Sequence, residues 1–503
     1  MFTDTLASIS FKISSYSINH IFLVLSVAVL TASFCYWKKS NNDNTRNIKG
    51  AKFPLPSNGP SFNDFFPMGM KTENQISLIE KYGSIFTIPS PLPGVIPNQV
   101  VINEIKLVKE LCRSHSNKCN FTTRSDVFAT ATQYVVGRGV TGLKGDEWSW
   151  RKRAMIREFH KNKLLNDERG LLEIIMEEGR ALCNELDKAC DQNEKDHNKR
   201  FICADYLTTK VAVGVVLFFL FGRRLEFDTD LMRIAAKDMI DSLFYCLTTP
   251  GYHALKYIPF TRSNEVDRKL RNAQCVIDSV VETELKILIE EIEGKRLVHS
   301  DRKPGSVMEN LIRNESKFKD SGISSMLAEA RVFVQAGFET TAHSLAFAMG
   351  MLAERPDIAN ELAQEGMIIF GRKDMDNSND DNTSYYDIEK MKLALEGRTP
   401  KVNQFFHEAL RLYPLAPALG GECTNSIDIT TQDGIKHTLP KGTAVLFLNM
   451  ALQRMQLKRK ENSSSATSTE NDIRLDLWDD TKHSKSEQPF LHTFQNGPHS
   501  LPR

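Results

Sequence analysis

An acid and a hydroxyl stand side by side, as Glu339 and Thr340, in a run that is otherwise apolar almost all round, from Arg331 to Gly350. Such a run predicts a helix buried in the middle of a large protein. Buried polar groups cost free energy unless they find partners. An acid next to a hydroxyl can relay protons, and the small residues Ala336 and Gly337 just before them let a ligand or cofactor approach the backbone closely. The competing reading is a helix kink in which Thr340 bonds back to a carbonyl one turn earlier.

Two further segments carry charge in a pattern. In Phe405-Phe-His-Glu-Ala-Leu-Arg-Leu-Tyr-Pro414, Glu408 and Arg411 lie three apart on one helical face and can pair. Pairs of this kind on a surface contribute little. His407-Glu408 begins an H-E-x-x-H pattern, but Arg411 takes the fifth position, which removes the zinc-protease reading. Gly145 to Arg153 opens a basic helix with Trp148, Lys152 and Arg153 close together. Indole and cations in one place suit an anionic group such as a carboxylate, and the competing reading is a solvated basic face. Gly137, Gly139 and Gly142 satisfy G-x-G-x-x-G, yet no helix begins directly at its end, so it is not a dinucleotide site.

The elements that must position these groups belong to a chain of 503 residues, 41% hydrophobic and 25% charged, able to bury a large core. The formal net charge of +1 and the absence of a basic stripe argue against a nucleic-acid partner. Nine cysteines are scattered without a C-x-x-C pair, which excludes a disulfide framework or a structural zinc site and predicts reduced thiols. Ile21 to Trp37 is an uncharged apolar run followed at once by Lys38 and Lys39, and Ile18 extends it by a turn. This predicts a transmembrane anchor at 18–37 after a short segment at 1–17, with the main domain on the cytosolic side where the positive charge lies.

A basic, proline-rich linker follows at 38–60, stiff and extended because proline fixes φ. Short β-type runs at Ser84–Ile88 and Val100–Ile102 flank a turn, and helical patterns dominate from about Glu147, with long amphipathic stretches at Leu164–Ala189 and Glu265–Glu293. The eleven-residue apolar run Val211–Phe221 is too short to cross a bilayer and predicts a buried core helix. Polar segments near 374–383 and 458–470 lack apolar content to pack and are predicted to be disordered insertions. Asp126–Gln133 and Phe244–Thr249 are expected to be pocket-lining loops.

Ala336-Gly-Phe-Glu-Thr-Thr341, Glu408-x-x-Arg411 with Tyr413-Pro414, and the Trp148 helix stand in the order seen in the cytochrome P-450 family, which the chain resembles from about Phe53 to Leu452 and over its last ten residues. The resemblance implies a mainly α fold with small β-sheets (α+β) over 61–503, preceded by the single anchor, in a protein of the endoplasmic reticulum membrane. It implies a haem cofactor, an NADPH-dependent reductase or similar electron donor, and monooxygenation of an apolar or lipid-like small molecule. Glu339 and Thr340 would deliver protons. Trp148, Lys152 and Arg153 would face a haem propionate, with Lys152 where the family usually has arginine, which keeps the charge and loses the bidentate fork. Ala336, Gly337, Phe494 and Gly497 would border the cofactor, and Glu408 with Arg411 would form a structural pair beneath it.

The haem loop departs from the family's F-x-x-G-x-R-x-C-x-G. The chain reads Phe494-Gln-Asn-Gly497-Pro-His499-Ser-Leu501-Pro-Arg503, with leucine at the cysteine position and histidine at the arginine position. Gly420-Gly421-Glu422 stands where an arginine for the second propionate is usual, and the proline- and arginine-containing segment after Trp478 is missing. A C-terminally truncated domain is therefore expected, with no metal ligand to assign and no thiolate for iron. The alternatives are a non-catalytic scaffold homologue that keeps the fold without haem chemistry, and an unrelated anchored helical binding protein.

Overall fold

A computed structural model describes residues 72–478 apart from 89–98, 113–120, 123–124, 161–162, 165–168, 196–201, 250–251, 371–382, 395–398, 433 and 462–472. The expected anchor and linker, and Phe494, Gly497, His499 and Leu501, lie outside the described residues. The chain divides into two compact units, Met1–Thr122 with Gly420–Leu448, and Thr123–Leu419 with Asn449–Arg503.

The first unit holds helices α1 (Thr72–Tyr82) and α2 (Ile105–Cys112) beside a five-stranded sheet. Its strands are β1 (Ile85–Ile88), β2 (Gln99–Ile102), β3 (Phe121–Thr122), β4 (Ala418–Cys423) and β7 (Ala444–Leu448), in the order β1-β2-β7-β4-β3. β1 runs antiparallel to β2, which runs parallel to β7. Strands β5 (Ile427–Thr430) and β6 (Lys436–Leu439) form a separate antiparallel pair. Both expected strands are present. Every residue of β1 is buried, which explains why its sequence is not an alternation of apolar and polar residues.

The second unit is helical. Its elements are α3 (Asp126–Val136), α4 (Gly145–Ile156), α5 (Leu171–Lys195), α6 (Ala204–Phe221), α7 (Thr229–Thr248), α8 (Tyr252–Leu255), α9 (Arg262–Ile292), α10 (Val307–Asn314), α11 (Ser316–Asp320), α12 (Ile323–Glu354), α13 (Pro356–Phe370), α14 (Thr383–Leu393), α15 (Pro400–Leu412) and α16 (Asn449–Glu461). The fold is thus mainly α with small sheets.

Caps and breakers set the boundaries. Asp228 accepts from the Leu231 amide to start α7, and Thr261 from the Asn264 amide to start α9. α12 runs for 32 residues and stops at Arg355, which precedes Pro356 and is pushed out of the helical region by the proline ring. α6 ends at Gly222, at φ 74°, where a Cβ would stand 2.4 Å from the Lys303 carbonyl oxygen. Only glycine fits there.

α6 and α12 pack along each other at the centre of this unit. Val213, Leu217 and Phe221 share one buried cluster with Ala330, Val334 and Phe338. The run read as eleven residues extends backward to Ala204, because Asp205 suits the first turn of a helix. The resulting 18 residues, at mean hydropathy 1.6, are long and apolar enough to cross a membrane by length and composition. Their apolar side chains instead fill the core, as expected.

Several sequence expectations change. Asp126–Gln133 lies in α3, and Phe244–Thr248 forms the last turns of α7, so neither is a loop. Ser125 accepts from the Phe128 amide, a cap that marks the start of α3. The stretch expected from Leu164 begins as a helix at Leu171, and the one expected from Glu265 begins at Arg262. The segment predicted to be disordered from 458 is helical as far as Glu461, and Thr383 begins α14.

Candidate active site

Between Ala336 and Gly350, α12 carries an open stripe, and Thr341 is exposed beside it. Ala336, His343, Phe347 and Gly350 are exposed in line, with Thr340 partly open between them. The spacing of three to four residues places them on one face of the helix. Opposite lie buried Phe338 and Ala342. Glu339 flanks the open stripe, half-buried, and accepts at 3.3 Å from the Gln335 amide nitrogen, which also donates to the Ala236 carbonyl. Burial, reinforced by the like charges of Asp241 and Asp205, raises the Glu339 carboxyl to about 7 against the pull of Gln335. Glu339 is therefore poised to exchange a proton near neutral pH.

Thr340 donates its hydroxyl hydrogen to the Ala336 carbonyl at 2.6 Å. The back-bond of the competing reading is therefore present. It does not remove the hydroxyl from chemistry, because the oxygen keeps its lone pairs beside the open stripe. Ser344 makes the same bond to the Thr340 carbonyl at 2.8 Å. Gly337 turns to the other side, where a Cβ would meet Val216 Cγ2 of α6 at 2.8 Å. Its small size serves the packing of two helices, and Ala336 alone of the small pair lies on the open stripe.

The lower end of the stripe continues into α15. Phe347 stacks on Tyr413 with ring centres 4.6 Å apart and planes 5° from parallel, and the Arg454 guanidinium lies over the same tyrosine at 5.3 Å. One turn before Tyr413, Glu408 and Arg411 are both fully buried. Arg411 grips the carboxylate with two bonds of 2.9 and 2.7 Å. Trp478 Nε1 and the Arg474 amide each donate to it at 2.8 Å. This is a saturated, buried pair rather than the surface pair that its spacing alone suggested. Trp478 was not singled out by sequence, because a tryptophan in a polar stretch carries no sign of which carboxylate it will meet.

The basic cluster of α4 splits by helical phase. Lys152 stands over the Trp148 ring at 5.1 Å, one turn along. Arg153 points elsewhere and is exposed. Just before them Arg151 turns inward beside Ala154 and Met155, only 2% exposed. It bonds Glu329 of α12 at 2.7 Å, Ser325 at 2.6 Å and Glu147 at 3.0 Å, while the Val140 amide donates to the other Glu329 oxygen at 3.0 Å. This strut was missed among three consecutive cations. Its signal was phase: Arg151 shares a face with the apolar residues three and four positions on. Gly137 and Gly139, rejected as a nucleotide loop, lie against the same end of α12, where Cβ atoms would meet Ala328 Cβ at 2.9 Å and Val332 Cγ2 at 2.6 Å.

The sequence profile of the family described as Cytochrome P450 matches residues 53–456. The chain is 22% identical over 390 residues to cytochrome P450 3A9 of Rattus norvegicus, covering 75% of this chain and 67% of that protein. It is 24% identical over 423 residues to cytochrome P450 2E1 of Mesocricetus auratus, covering 80% and 73%. It is 25% identical over 389 residues to echinocystic acid 23-monooxygenase of Saponaria officinalis, covering 76% and 66%. The chain belongs to the cytochrome P450 family.

Haem is the cofactor of that family, and oxygen cleavage on it draws on electron density from a cysteine thiolate. The face of α12 fits a flat group, since one stripe is open and carries only small, hydroxyl and aromatic side chains besides His343. The sequence resemblance sets Leu501 against the family's cysteine, and leucine has no lone pair to give. Of the described thiols, Cys112 and Cys423 are buried; burial raises Cys423 to about 12 and Cys246 to about 11. The profile match ends 38 residues before Phe494, so the haem loop lies beyond it.

Proposed function

We propose that this chain is a membrane-anchored member of the haem monooxygenases whose proton-handling helix is retained and whose iron anchor is not. Glu339 and Thr340 are its acid–hydroxyl pair, with the acid held where it exchanges a proton near pH 7. Ala336 borders the flat group, and Trp148 with Lys152 offers an indole and a cation to an anionic edge. Arg153, Phe494 and Gly497 complete the residues assigned by resemblance to the family, while Gly337 packs α12 against α6. Arg153 is exposed and lies off the face that carries Trp148 and Lys152. The observation that carries the reading is Leu501, an aliphatic side chain where a sulfur anion is required.

An apolar or lipid-like substrate follows from the anchor at 18–37, which holds the domain against a bilayer, with Lys38 and Lys39 favouring the cytosolic face of the endoplasmic reticulum. Electrons come from an NADPH-dependent reductase, as the family membership supports. A non-catalytic scaffold homologue is the second reading, favoured by the same leucine. The costly burial of Glu339 weighs against it, because a scaffold gains nothing from a raised carboxyl.

The full chain, reconstituted in vesicles with such a reductase and a panel of apolar substrates, is expected to consume NADPH no faster than the reductase alone and to form no oxygenated product. Product above that blank contradicts the reading.

A further inference from the structure

The open stripe of α12 runs into an aromatic stack that the acid–hydroxyl pair does not use. Phe347 lies on Tyr413 of α15 with ring centres 4.6 Å apart and planes 5° from parallel. The Arg454 guanidinium of α16 lies 5.3 Å from the centre of the same tyrosine ring. With Phe347 stacked on one face of Tyr413, the cation has the other. The stack is held from behind. Arg454 Nε donates to the Leu412 carbonyl at 2.9 Å, and Tyr413 packs against the buried cluster that includes Ala348, Met351 and Phe405.

Phe347 is nevertheless 44% exposed. Tyr413 covers one face of its ring, so that exposure belongs to the other face and the edge. A Cβ added at Gly350, one turn further along the stripe, would meet nothing within 4 Å, so the space there is open. An exposed ring backed by a second, parallel one is a flat apolar surface of set tilt. A flat partner gains area on it while the protein has little left to order.

We propose that Arg454, Tyr413 and Phe347 form a three-layer stack whose free face, Phe347, takes a planar conjugated ring as the fourth layer. The proposal rests on the reading of the stripe as a site for a flat apolar group, and it names the chemistry of the stripe's far end. The guanidinium draws the π density of the stack towards itself, so the outer face of Phe347 favours an electron-rich ring, such as a phenol or a naphthol. That ring can belong to a substrate or to the porphyrin. Thr340 stands two turns back on the same stripe, about 10 Å along the axis.

Titration calorimetry of the full chain with 2-naphthol and with its saturated counterpart, decahydro-2-naphthol, separates stacking from simple burial and needs no turnover. Phe347→Leu is expected to weaken 2-naphthol about threefold to tenfold and to leave the saturated ligand within about twofold, since only the conjugated ring loses an aromatic partner. Unchanged binding of the saturated ligand also shows that the variant is folded. An equal loss of both ligands, no loss of either, or no binding of 2-naphthol to the parent overturns the stack as a ligand site. Repeating the titration with haem supplied tells the two sources apart: displacement of 2-naphthol makes the porphyrin the fourth layer, and retained binding makes it a substrate ring. Oxygenated product from the parent chain would contradict the reading of a lost iron anchor and leave these binding constants as they are.

Discussion

Arg411→Leu is expected to lower the unfolding free energy by about 3–5 kcal/mol, the usual cost of removing one partner of a fully buried ion pair. Glu408 would keep the Trp478 and Arg474 donors, at 2.8 Å each, but would lose the Arg411 guanidinium that grips its carboxylate. The cost comes from that uncompensated charge rather than from lost contact. Glu408→Leu combined with Arg411→Leu is therefore expected to recover a large part of the loss, since apolar replacements of both partners of a buried pair are often near neutral. Denaturant unfolding of the two variants against the parent checks this. A double variant no more stable than Arg411→Leu would mean that Phe347, Tyr413 and Arg454 depend on the pair for their own stacking.

The second large effect is expected at the other end of α12. Arg151→Leu leaves Glu329, itself without solvent exposure, facing only the Val140 amide among the donors described to it. At pH 8 the loss should again be about 3–5 kcal/mol. Here the answer depends on pH in a stated direction. Burial already raises Glu329 to about 7 although Arg151 pulls it down. Removing Arg151 raises it further, so the carboxyl takes up a proton as pH falls from 8 towards 5 and the penalty shrinks. The sign follows from linkage: a carboxyl raised in the folded state above its unfolded value loses stability as pH rises through the folded value. Unfolding curves at pH 5 and pH 8 should therefore diverge for Arg151→Leu more than for the parent. An equal loss at both values would show that Glu329 stays ionised when its partner is gone.

These two struts explain what was legible in sequence and what was not. α12 announces itself, because an apolar run with Glu339 and Thr340 in it has few homes other than the centre of a large protein. The pairing of Glu408 with Arg411 also follows from spacing, but their complete burial does not. Burial is decided by Trp478 and Arg474, seventy and sixty-six residues further on. Period alone cannot reach that far. Gly337 shows the converse error. Its small size was read as room for a ligand, whereas the space is taken by Val216 of α6, a residue that only tertiary packing brings there. α3 and the end of α7 were expected to be pocket-lining loops of the resembled fold, although Ser125 carried the cap that starts α3. The partner of Arg151 was invisible, because Glu329 stands more than a hundred positions away.

The acid of α12 and the proposed loss of the sulfur ligand are separate matters, and the second governs what the first can accomplish. The most direct measurement is the absorption spectrum of the purified full chain after supply of haem, reduction and exposure to carbon monoxide. Iron held by a thiolate and iron held by any other ligand, or by none, give distinct bands. With Leu501 in the cysteine position, no band of sulfur-ligated iron is expected, whatever haem the protein takes up. A clear sulfur-ligated band would contradict the account, and would require one of the other cysteines to reach the iron as an anion.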